Sequence, residues 1–250
     1  EFYFALWTCL ASNTENRDLV ISLVVQKSAE QEQFESVSSV LIALAKSFST
    51  DVVNAIFPFY SFDRYLFHRK EPDFARDALL MITPEMLRNH PDLMKDHLHL
   101  LIHYSLVHFD HDVVLFSEIM KGLLWTIPGW DQSIIQCFNN TPSLTWKSPI
   151  HLSWTKEMES NYLHLIQLHI PHTTMTAFVG KFGTFLKESY EDIYERWRHE
   201  AMRWLCDCKD YCLAARSALI VSSMPTDQVL DDVNVLFKSF TMALLEKTEA

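Results

Sequence analysis

The segment Asp96–Asp112, DHLHLLIHYSLVHFDHD, holds five of the chain's twelve histidines, and its reading decides the fold. At 100° per residue, Leu98, Leu101, Ile102, Leu106 and Phe109 form one apolar face, and Leu100, Tyr104 and Val107 form a second. A helix apolar on two flanks is covered on two flanks. Between them runs a narrow polar stripe in which Asp96, His99, His103 and Asp110 stand above one another at helical spacings. The stripe is read as a solvated Asp–His ridge on a packing helix, and it is the best candidate for a site in the chain.

The rest of the chain repeats the helical period and shows no sustained strand-type alternation, so an all-α fold is predicted. In the first half, helices are expected over 2–11, 17–27, 36–48, 52–67, 73–81, 84–89, 93–109 and 113–126. A second series is expected over 132–138, 156–169, 174–187, 190–206, 211–222 and 227–247. Thr83 before Pro84, and Thr226 after Pro225, have the chemistry of helix N-caps. His90-Pro91, Ile127-Pro128-Gly129 and Ile170-Pro171 are stops, because proline disfavours helical geometry in the preceding residue and donates no backbone bond.

Residues 139–154, NNTPSLTWKSPIHLSW, lack periodicity and carry two prolines, yet Trp146, Ile150, Leu152 and Trp154 are too apolar for a free tether. The segment is read as a pinned linker between helical-repeat segments 1–138 and 155–250. Short helices apolar on two sides, joined by short turns, fit a HEAT/armadillo-like α-solenoid of antiparallel helix pairs, although no strict repeat period is legible. The stripes Ile193, Trp197, Ala201, Trp204, Leu205, Cys208 and Val229, Val233, Leu236, Phe237, Phe240, Leu244 are core faces of two of those helices.

Composition narrows the function. A formal net charge of −11 opposes nucleic-acid binding, and acidic surfaces of this kind suit basic protein partners or plain solubility. With only four glycines there is little material for phosphate-cradling turns, and no Walker or dinucleotide motif is present. Cys9, Cys137, Cys206, Cys208 and Cys212 are too few and too unevenly placed for a disulfide framework, which points to reduced thiols and a cytoplasmic setting. No apolar run is long enough for a membrane span. The opening EFYFALWTCLA reads as a helix already under way, so a fragment of a longer chain is expected.

Two constellations carry metal-binding chemistry. His99-x-x-x-His103 sets two imidazoles one turn apart, and Asp96 or Asp110 could add a carboxylate to a zinc-type site. The metalloprotease glutamate is missing, because Leu100 occupies its place. Cys206-x-Cys208-x-x-x-Cys212 could supply thiolates, but Asp207, Lys209 and Asp210 indicate a helix break and no second cysteine pair follows. Buried thiols at a helix junction are the simpler reading. No G-x-S-x-G elbow occurs, and seven tryptophans without positive charge read as core and interface rather than a base-stacking platform. No catalytic residue, cofactor or metal is assigned.

Leu98-His99-Leu100-Leu101-Ile102-His103 followed by Phe109-Asp110-His111 resembles a segment of the Furry-type cell morphogenesis proteins, in which a leucine-rich helix ending in histidine precedes an Asp-His pair. Downstream, residues 197–217, WRHEAMRWLCDCKDYCLAARS, are similar to that family's tryptophan-containing helix, Cys-rich break and Arg-Ser helix opening. The chain departs from the pattern at Asp112, where proline is frequent, and at Ala215, where cysteine is frequent. The resemblance implies a fragment of the C-terminal half of a large non-enzymatic scaffold of HEAT-like repeats. Such a scaffold acts with an NDR-family kinase and a Mob co-activator in polarised growth, in the cytoplasm or at the cell cortex. It further implies that His103, Asp110, His111, Trp204, Arg216 and Ser217 are helix-junction residues, whose imidazoles and guanidinium satisfy carbonyls at helix ends. Two other readings are a HEAT-like adaptor of another trafficking or transport complex, and a metal-dependent hydrolase built on Asp96, His99, His103 and Asp110.

Overall fold

A computed structural model describes residues 2–27, 34–62, 74–109, 113–129, 134–136, 174–208 and 210–225. The pinned linker 139–154, the helices expected over 156–169 and 227–247, and the Thr226 cap lie outside the described residues. Among the described residues every regular element is helical and none is a strand. The principal helices are α1 (Phe2–Ser12), α2 (Thr14–Lys27), α3 (Phe34–Ser47), α4 (Ser49–Ile56), α5 (Phe74–Asn89), α6 (Pro91–Met94), α7 (Leu98–Val107), α8 (Val113–Thr126), α9 (Thr174–Ser189), α10 (Glu191–Asp207) and α11 (Tyr211–Ser223).

The chain divides into two compact units, one of residues 1–106 with 114–130 and the other of 107–113 with 131–250. In the first, α1, α2 and α3 pack on one another, α2 and α3 also pack on α4 and α5, and α4 packs on α6. Asn13 breaks the chain between α1 and α2, and its Oδ1 accepts the Glu15 N–H at 3.0 Å, which satisfies one orphan donor of α2. Arg17, in the first turns of α2, joins three elements. Its Nε donates to Ala11 O at 3.0 Å, its Nη1 reaches Asp51 Oδ2 at 3.3 Å, and its guanidinium lies 4.5 Å from the centre of the Phe48 ring. The end of α1 and the α3–α4 corner are thereby tied to the start of α2.

Several expected boundaries differ from the structure, two of them through proline. One continuous helix, α5, runs through Pro84, where two helices over 73–81 and 84–89 with Thr83 as cap are predicted from the sequence. Thr83 is buried inside that helix, and its hydroxyl pairs with the Tyr60 hydroxyl at 3.2 Å, which makes it a packing residue. Burial of Ile82, Met86 and Leu87 around Pro84 offsets the one backbone bond and the local clash that an interior proline costs, about 3 kcal/mol. The helix expected over 52–67 ends instead at Ile56 and tightens to a 3₁₀ turn over Phe57–Tyr60: Phe57 keeps α geometry, but Pro58 has no N–H to continue the helical ladder. Two of the predicted stops hold: His90 breaks α5 from α6, and after α8 Gly129 takes φ of 91°, a left-handed value open to glycine; the third, Ile170-Pro171, lies outside the described residues.

In the second unit α9, α10 and α11 pack mutually. Phe178, Phe182 and Leu186 from α9 meet Tyr194, Trp197, Ala201 and Trp204 from α10, all buried. Phe178 stacks on Phe182, and the Phe182 and Trp197 rings lie 5.5 Å apart. Gly183 is required by close approach: a β-carbon there would sit 2.9 Å from Pro225 Cδ. The Tyr194 hydroxyl donates to Pro225 O, so the exit of α11 is held between α9 and α10.

Candidate functional site

The histidine-rich helix is built from three short pieces rather than one long one. After α6, a 3₁₀ turn covers Lys95–His97, and α7 begins only at Leu98. Asp96 therefore stands on the 3₁₀ turn, exposed and off the helix that carries His99 and His103. Pro91 accounts for the early start, because it is ready-made for a first helical position.

All of Leu101–Val107 is buried, and His103 has no exposed surface. The solvated Asp–His ridge is corrected by this burial. Tyr104 packs 5.2 Å from the Tyr60 ring and 6.5 Å from the Phe116 ring, so apolar partners cover more of the helix than its two sequence-defined flanks. Desolvation by burial lowers the His103 pKa from 6.5 to about 3, which keeps the imidazole neutral across the physiological range. Ser105 is likewise fully buried, and its Oγ makes no hydrogen bond among the described residues. His97, absent from the expected stripe, is only partly buried and stacks on Phe57 with ring centres 4.8 Å apart.

Of the four candidate metal ligands, Asp96 is exposed, His99 is half-buried, His103 is fully buried, and Asp110 lies outside the described residues. No group of three His, Cys, Asp or Glu among the described residues is placed to hold a metal ion. Cys206 is half-buried and Cys208 buried, neither in a disulfide among the described residues, and the Cys212 side chain is not among those described. The chain turns extended at Cys208 after α10, and Asp210 Oδ1 accepts the Leu213 N–H at 3.2 Å to open α11.

The second unit gathers the other singled-out residues at one junction. Arg216 on α11 is buried, and its Nη1 donates to Val107 O, the last carbonyl of α7, at 2.6 Å. A guanidinium suits that place: the terminal carbonyl lacks an intrahelical donor, and the helix dipole favours positive charge there. His108, the next residue, meets the Trp204 ring edge-on with centres 6.2 Å apart. Trp204 Nε1 donates to Glu200 Oε1 at 3.0 Å, and Arg203 lies 3.5 Å from the same carboxylate. Ser217 turns its hydroxyl back to Leu213 O at 2.9 Å. His111 lies outside the described residues. Glu200 is the member that periodicity misses, because a buried carboxylate on a core face is recognisable only once its Trp and Arg partners are seen one turn or less away.

The junction is a polar clamp on a helix end: the Arg216 guanidinium closes the Val107 carbonyl, and the Glu200 carboxylate is met by Trp204 and Arg203. No helix among the described residues is long and apolar enough to cross a membrane. Compared with known protein families, with curated proteins and with solved structures, the chain has no match.

Proposed function

We propose that this chain is a segment of a non-enzymatic helical-repeat scaffold of the Furry type, its helix pairs stacked as a HEAT-like solenoid, supporting an NDR-family kinase and a Mob co-activator in cell morphogenesis. One observation carries the reading. Arg216 of the family-like stretch 197–217 donates to Val107 O, and Trp204 of the same stretch meets His108; Val107 and His108 lie between the family-like residues 98–103 and 109–111. The second stretch thus supplies the guanidinium that closes the end of the helix carrying the first. The all-helical fold of the described residues is what such a scaffold requires.

Co-expression of the intact parent protein with an NDR-type kinase and a Mob protein tests it. A stable ternary complex on size exclusion is the expected result. Failure of the intact parent to retain either partner overturns the partner assignment.

A further inference from the structure

We draw no further inference here: the strongest candidate, the apolar surface patch of α1 and α2 around Leu6, Leu10, Leu19 and Leu23, carries nothing because nothing in the structure shows what covers it.

Discussion

Arg216 Nη1 lies 2.6 Å from Val107 O, so a guanidinium on α11 closes the carbonyl end of a helix 109 residues earlier. Arg216 is buried, and removing it leaves the carbonyl without that donor in a place water does not reach. Arg216→Ala is expected to destabilise the fold by about 2 to 3 kcal/mol, the range for hydrogen bonds to charged groups with a buried partner left behind. Arg216→Lys recovers part of the loss, since an ammonium keeps the charge but not the planar fork. Chemical unfolding of the three proteins checks the order wild type, lysine, alanine.

His103 predicts a specific acid sensitivity. Its folded pKa is lowered to about 3 from 6.5 by desolvation, so between those values the unfolded chain binds a proton that the folded chain refuses. Stability is full above about pH 6.5 and falls as pH drops toward 3. By linkage this single group costs about 2 kcal/mol between pH 7 and pH 5. His103→Gln flattens that part of the pH profile even if it lowers stability at neutral pH through poorer packing. The slope difference between the two proteins is the measurement, and equal slopes sink the assignment.

The glycines of α9 separate two effects that sequence alone merges. At Gly183 an added β-carbon meets the rigid Pro225 ring at 2.9 Å, whereas at Gly180 the nearest atom is Ser223 O at 3.3 Å. Both substitutions by alanine gain up to about 1 kcal/mol of helix propensity. Gly183→Ala has to displace a proline also held through its carbonyl by Tyr194, so it is expected to be net destabilising by about 1 to 2 kcal/mol. Gly180→Ala stays near neutral. A thermal midpoint lower for the first variant than for the second confirms the clamp on the exit of α11.

The all-helical class and the helix stops were legible because they depend on local causes: apolar period, and prolines at positions 91 and 128. The break after Asp207 was legible for the same reason, from three polar residues among the cysteines. What escaped depended on residues distant in sequence. Nothing around Arg17 announces that it will meet Ala11, Asp51 and Phe48 together, and the pairing of Thr83 with Tyr60 turns a plausible cap into a core hydroxyl. His103 was misjudged because helical phase gives the direction a side chain points, not how much of the rest of the molecule lies in that direction. The candidate site was thus half visible: its members could be chosen from the sequence, and their burial and pairing could not.

Thr83 and Pro84 allow that point to be tested within one helix. If α5 runs unbroken, Pro84 interrupts it, and Pro84→Ala restores a backbone donor and removes a clash at a half-buried position. That variant is expected to gain about 1 kcal/mol or more. Thr83→Val keeps the volume but deletes the hydroxyl 3.2 Å from the Tyr60 hydroxyl, and it loses about 1 kcal/mol, a loss that Tyr60→Phe in the same chain partly cancels. Were Thr83 instead the cap of a separate helix, Tyr60→Phe would leave the cost of Thr83→Val unchanged and Pro84→Ala would stabilise nothing, because proline is at home in a first helical position. A double-mutant cycle on Tyr60 and Thr83, read beside the Pro84→Ala unfolding curve, distinguishes one helix from two.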